Sequence, residues 1–426
     1  MSASSTPRGG DHYDVVIVGG GLVGASLALA LAPTRRRVAL IEAVLPGAVS
    51  QPSFDDRTSA LGNGSRRILE TLGAWPRIGP QAAAIRTIQV SDAGHFGAAR
   101  LDATEQGIEA LGYTVSNRSI GAGLWGALQA APGGVQVIAP ARVQSVQLAA
   151  QGAEVRYSDA AGQDRMLRAD LAVAADGAHS LVRAAAGIGA HDVDYEQVAI
   201  VANLSADRPA AGIAYERFTT TGPLAVLPLA DGSYTVVWTL APAHAEAVLA
   251  HDDAAFLAEL QTCFGWRIGT IRRVGKRASY PLLLTRAQSA AGVRSVLVGN
   301  ASQALHPVAG QGFNLGLRDA AVLAELVAEA DDAGTPVLLE RFAALRARDR
   351  AGMVQFTDAL VRGFASRKPG AALLRNLGLL AFDAAPFAKS ALASLSWGFG
   401  DHTPRLMRGL PLASGPDAAA AGQNAP

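Results

Sequence analysis

Residues 14–42, DVVIVGGGLVGASLALALAPTRRRVALIE, constrain this chain more than any other stretch. Residues 15–18 form a β-branched run that reads as a buried strand. Gly19, Gly21 and Gly24 then fit G-x-G-x-x-G, with Gly20, Leu22 and Val23 between them. Leu22, Ala25, Leu29 and Ala32 recur at helical spacing, so a helix follows, and residues 37–41 read as a second strand ending at Glu42. Each glycine has a separate task in such a unit. Gly19 permits the tight turn, Gly21 lets the backbone approach a pyrophosphate, and Gly24 lets helix and strand pack closely. The helix N-terminus presents free N–H groups and a partial positive charge to phosphates. Glu42 lies 18 residues beyond Gly24, where a carboxylate accepts hydrogen bonds from a ribose diol. A lone glycine motif means little, but strand, glycines, helix, strand and acid in this order point to a dinucleotide site. The competing reading is a secretory signal or membrane span, because residues 15–34 carry no charge. Three consecutive glycines suit a span poorly, and Asp11 and Asp14 against Arg8 make the wrong flank for a signal.

At 426 residues the chain exceeds one ordinary core, so two domains and an appendage are expected. A net charge of +1 without a basic run argues against a nucleic-acid partner. The single Cys263 excludes an intramolecular disulfide and any cysteine-built metal site, which fits a reducing cytoplasmic setting. No metal-ligand constellation is visible.

Beyond Glu42 the chain is irregular to about Phe54, and Arg57 then leads into a helix carrying Ile68, Leu69 and Leu72. Arg57 suits either a phosphate contact or a surface ion pair. Alternation at Ile88 and Val90, and again at Tyr113 and Val115, reads as strands leaving the first domain. A second literal G-x-G-x-x-G at 121–126 is read as helix packing, because the strand after it ends without an acid. Asp176 and Gly177 close another buried strand, where a turn with a capping carboxylate is the plainer account. Residues 190–285 alternate in short segments and are expected to form an antiparallel sheet with a helix at 252–264. Pro307, Gly310 and Gly312 precede a clear helix at 317–330, an arrangement that turns backbone N–H groups toward an anionic ring. His306 in that loop reads as a positioned side chain rather than a catalytic base. Residues 373–399 are rich in apolar groups but interrupted by Arg375, Asp383, Pro386 and Lys389, so they cannot span a bilayer as one helix. Packing or a subunit interface, a membrane surface, or cover for a long apolar substrate would each explain them.

Three motifs in order resemble the flavoprotein aromatic hydroxylases: GGGLVG with Glu42, DGAHSLVR at 176–183, and GNASQALHPVAGQGFNLGLRD at 299–319. Residues 214–229, AYERFTTTGPLAVLPL, are similar to the ubiquinone-biosynthesis branch of that family. The resemblance implies an α/β fold: a Rossmann-like FAD-binding domain, an inserted antiparallel-sheet substrate domain and a C-terminal helical region. The expected division gives 12–84, 117–189 and 286–350 to FAD, 85–116 and 190–285 to substrate, and 351–412 to the helical region. It also implies that Gly19, Gly21, Leu22, Val23, Gly24 and Glu42 hold the ADP half of FAD, with Arg57 nearby. Asp176 and Gly177 would lie near the nucleotide, Asn300 near the ribityl–pyrophosphate, and Pro307, Gly310, Gln311, Gly312 and Asn314 along the isoalloxazine edge. Most members have Asp where this chain has Asn300, and Gly121 stands where many have an arginine or glutamine. Tyr215, Phe218, Leu227, Pro228 and Pro307 are the substrate-pocket candidates.

The implied activity is hydroxylation of a polyprenylated phenol of the 2-polyprenyl-6-methoxyphenol type, by O2 through a peroxyflavin, with NAD(P)H as a transient donor. No residue can be named from the sequence as the phenol base. Peripheral membrane association at the inner face, membership of a quinone-biosynthesis complex and a homo-oligomer all remain open. The alternatives are a hydroxylase of a small soluble aromatic or polyketide, and a flavin-binding assembly subunit without turnover.

Overall fold

Two large sheets organise the described residues, which are 12–45, 57–304, 311–365, 371–399 and 402–412 of this computed structural model. In the first, His12–Val18 lies between Asp164–Ala174 and Val38–Ile41, with Ser295–Leu297 and Val135–Ile138 flanking them, all parallel. Parallel neighbours need crossovers, and the helix Leu22–Leu31 supplies the one between the first two strands. Such strands are covered on both faces, which is why residues 15–18 and 38–41 are apolar throughout and buried. An antiparallel hairpin, Arg142–Ala149 with Gly152–Ser158, extends this sheet beside Asp164–Ala174.

The second sheet runs in the order Gln303–Ala304, Ala278–Ala287, Ala190–Ala206, Tyr234–Leu240, Pro223–Pro228, Ile213–Phe218, Thr87–Asp92, Ala98–Asp102. Its pairings are antiparallel except that Ile213–Phe218 runs parallel to Thr87–Asp92. Alternation alone does not encode strand direction, so this one parallel pair was not legible. Helices Pro242–Ala250 and Asp253–Phe264 cover one face, Phe256 and Phe264 packing on Trp238 and Tyr215 of the sheet. Tyr113 and Val115 sit elsewhere: Gly112–Ser116 pairs with Thr58–Gly62 and Ala83–Ile85, in the same core as the glycine unit.

The second glycine motif lies inside the helix Asn117–Ala130, where a Cβ on Gly123 would come within 2.3 Å of Ile78. Close packing accounts for it.

Toward the C-terminus the helix Ala371–Asp383 closes the edge of the second sheet. Asn376 Oδ1 accepts from Gly97 N, and Asp383 Oδ1 accepts from Arg100 N at 2.8 Å. Asn376 also donates to Asp92 at 3.2 Å, so side chains satisfy an edge that would otherwise be open to pairing. With Pro386–Trp397 this helix turns Leu379, Phe382, Leu392 and Trp397 inward and leaves Leu373, Leu374, Leu377, Leu380 and Phe387 exposed. Among the described residues, no helix is long and apolar enough to cross a membrane.

Candidate active site

The glycine unit builds a tight backbone cradle at the start of the first helix. Gly19 has φ +100°, and a Cβ there would stand 2.5 Å from Ala175 O. At Gly24 it would meet Gly19 O at 1.9 Å, so any side chain would open the turn. Gly21 caps the helix Leu22–Leu31 without a side-chain acceptor, leaving first-turn N–H groups available beside Leu22 and Val23 in the cavity wall. Glu42 is buried with both oxygens engaged: one accepts from Gly20 N, the other from Val44 N at 2.9 Å. Trp125 Nε1 donates to Gly20 O at 3.1 Å and fixes the loop from the opposite side, a support the sequence reading missed.

The three motifs are tied to one another by their least conspicuous residues. Arg183, at the end of DGAHSLVR, donates to Ala178 O at 2.6 Å and across to Ala301 O at 3.0 Å. Gly299 and Gly316 leave room for Val23; Cβ atoms there would stand 3.0 and 2.6 Å from its Cγ2. Asp319, almost fully buried, accepts from Gly299 N at 3.0 Å and Arg346 Nε at 2.6 Å, and forms an ion pair with Arg350 Nη2 at 2.8 Å. Asp319, the last residue of the third motif, therefore holds the turn that presents Asn300 to the cavity. Asp176 Oδ2 accepts from Leu181 N at 2.8 Å, while its Oδ1 is buried without a partner among the described residues. Burial pushes the Asp176 carboxyl above its ordinary value.

A single cavity of about 1270 Å³ connects this cradle to the second sheet. Gly19, Gly21, Leu22, Val23, Glu42, Asp176, Gly177, Asn300 and Gly312 line it. Arg57 lies in the wall with its guanidinium stacked over the Tyr280 ring at 4.9 Å. Gln311 opens the helix Gln311–Glu329, whose first turn includes Gly312 and Phe313 in the wall. Asn314 is turned away: its amide accepts from Gly62 N and Ser65 Oγ and donates to Ala60 O, clamping the helix to Thr58–Gly62. His306, Pro307 and Gly310 lie outside the described residues.

At the end walled by the second sheet, strand parity separates the substrate-pocket candidates. Ala214, Glu216 and Phe218 share the cavity face with Val90, Ala225, Leu227, Val237 and Val201, all of them lining residues. Phe218 and Leu227 therefore face the cavity. Pro228 falls on the opposite face, and Tyr215 borders the cavity but turns its ring away, edge-on to Phe264 at 5.5 Å beneath the helices. Neighbouring residues on a strand point to opposite sides, so the four of the five pocket candidates that lie among the described residues could not all face inward. Glu216 was missed because Arg217 beside it is equally charged, and the sequence does not say which face looks inward. Arg217 is on the helix side, donating to Cys263 O at 2.9 Å.

A family model described as an FAD binding domain matches residues 12–357. Ubiquinone hydroxylase UbiL of Rhodospirillum rubrum is 39% identical over 413 residues, covering 94% of this chain and 93% of that protein. The 3-demethoxyubiquinol 3-hydroxylase of Escherichia coli is 33% identical, covering 88% of this chain and 96% of that one. Among solved structures, p-nitrophenol 4-monooxygenase PnpA from Pseudomonas putida shares the fold with a TM-score of 0.74, at 19% identity over 91% of this chain and 98% of its own. The matched span takes in all three motifs and both sheets, and the chain belongs to the FAD-binding family of flavoprotein aromatic hydroxylases, in the branch of the ubiquinone-biosynthesis hydroxylases, as an FAD-dependent aromatic-ring monooxygenase.

Proposed function

We propose that this enzyme hydroxylates the ring of a polyprenylated phenol during ubiquinone biosynthesis, taking electrons transiently from NAD(P)H. The observation that carries this reading is the shape of the cavity. It runs from a polar cradle into an apolar chamber walled by the second sheet and the inward face of the C-terminal helices. Leu379, Phe382, Leu392 and Trp397 give that chamber the lining an isoprenoid tail would require. The names of the relatives point the same way.

The cradle fits FAD on two features: glycine positions that a Cβ would close, and an uncapped helix start facing the cavity. Gly19, Gly21, Leu22, Val23, Gly24 and Glu42 would hold the ADP half, and Asp176, Gly177 and Asn300 the centre. The start of Gln311–Glu329 would set a partial positive charge beside the ring system. When bound, FAD supplies the redox chemistry, accepting two electrons from the donor and passing one atom of O2 to the aromatic ring. The chain's own contribution is position and dryness. Apolar side chains on the sheet and on both C-terminal helices exclude water from the space where the phenol would lie.

The test is purified, FAD-loaded protein with O2, NAD(P)H and a short-chain 2-prenyl-6-methoxyphenol, followed by product analysis in a strain lacking its quinone hydroxylases. Phenol-stimulated NAD(P)H oxidation with a ring-hydroxylated product supports the reading. A preference for salicylate-like acids, or no hydroxylated product from any phenol, overturns it.

A further inference from the structure

We propose that Glu216 is the catalytic base that accepts the phenol proton. The inference rests on the reading of this enzyme as a phenol hydroxylase and deepens it.

Glu216 sits mid-strand in Ile213–Phe218, its cross-strand neighbours being Val90 and Ala225. It is the one charged side chain of the second sheet that lines the cavity, among the described residues. No hydrogen-bond donor among those residues reaches its carboxyl. A carboxyl in an apolar wall without partners is costly to keep. A substrate hydroxyl would supply the missing partner.

The surroundings leave Glu216 electrostatically alone. On its own strand, Arg217 and Tyr215 face the other side of the sheet. On Thr87–Asp92, Asp92 is held by Arg375 and Asn376 at the sheet edge. On the C-terminal helices, Asp383 and Lys389 pair with each other at 3.1 Å, and the inward residues, Ser396 among them, carry no charge. Arg57 and Tyr280 lie four strands away, and Glu42, Arg142, Asp176 and His179 line the cradle end. Burial is the sole influence on the carboxyl and raises it to about 7. A base with that value is half ionised at neutral pH, where proton transfer in a transition state is most effective.

The step balances simply. The phenol O–H bond breaks, its proton goes to a Glu216 carboxylate oxygen, and the electron pair stays on the phenol oxygen, enriching the ring carbons ortho and para to it. After oxygen transfer the carboxylic acid returns its proton to water.

The test compares wild type with Glu216→Gln, both saturated with FAD and matched by their flavin absorbance. For 2-methoxyphenol or its prenylated form, kcat/KM of wild type should rise with pH through about 7, and the variant should lose that limb and roughly 10²–10⁴-fold in rate. For pentafluorophenol, which ionises unaided at neutral pH, the two proteins should differ less than tenfold. A second readout needs no turnover. Binding of 4-nitrophenolate at pH 8 to the oxidised protein should take up about one proton in wild type, since two anions cannot both stay charged in an apolar chamber, and none in the variant. Equal losses on both phenols, an unchanged pH profile or equal proton uptake would remove Glu216 from this role while leaving hydroxylation by wild type intact. Wild type that hydroxylates no phenol would sink the functional reading, and the base with it.

Discussion

Glu216→Gln should make the protein more stable, and only above mildly acidic pH. Burial raises the Glu216 carboxyl from 4.5 to about 7, so the folded chain keeps a proton that the unfolded chain has already released. Stability is therefore lost as pH rises from 4.5 toward 7 and stays low beyond it. A difference of about 2.5 pKa units at 1.36 kcal/mol each is about 3 kcal/mol. Glutamine has nearly the same shape and no charge, so the variant escapes this penalty. At pH 4.5 and below the two proteins should unfold together, and at pH 8 the variant should be ahead by that amount. With an unfolding entropy of about 2 cal/mol/K per residue, the gain corresponds to roughly 3–4 °C in Tm for a chain of this length. The assay is thermal unfolding at pH 4.5, 6 and 8 with FAD held at one saturating concentration, because bound cofactor itself moves Tm. A variant no more stable than wild type at pH 8, or a gain independent of pH, would refute the reasoning by showing that the carboxylate is solvated or paired. A stabilising change that also costs activity is the pattern expected where a site is kept at the expense of stability.

Asp319→Asn should cost about 3–5 kcal/mol, because it leaves the buried Arg346 and Arg350 without their shared carboxylate and frees Gly299 N. Urea unfolding would measure the loss, and a cost below 1 kcal/mol would count against a structural role for this network. Glu42→Ala removes the acceptor for Gly20 N and Val44 N as well as the proposed ribose partner, and should weaken FAD binding roughly 10- to 100-fold at about 1.5–3 kcal/mol. Fluorescence titration of flavin-free protein reads this directly, and an unchanged Kd would take Glu42 out of the cofactor site.

What the sequence determined by itself was the glycine turn with the strands and helix around it. Periodicity, glycine spacing and an acid at a strand end are local signals, because a turn that admits no Cβ and a helix start open to phosphate are built from residues a few positions apart. Gly19, Gly24 and Glu42 stand where that logic puts them. The apolar 373–399 stretch was legible as unusual, but its task was not: only docking against Ala98–Asp102 decides that Leu379 and Phe382 face the cavity while Leu374 and Phe387 face outward. Tyr215, Glu216 and Arg217 make the same point at a single turn of phase. Both faces of their strand are covered, one by helices and one by the cavity, so alternation cannot say which side chain meets a substrate. Asn314, buried by its bonds to Ala60, Gly62 and Ser65, and Trp125, reaching Gly20 from more than a hundred positions away, depend on partners that only the folded chain brings together.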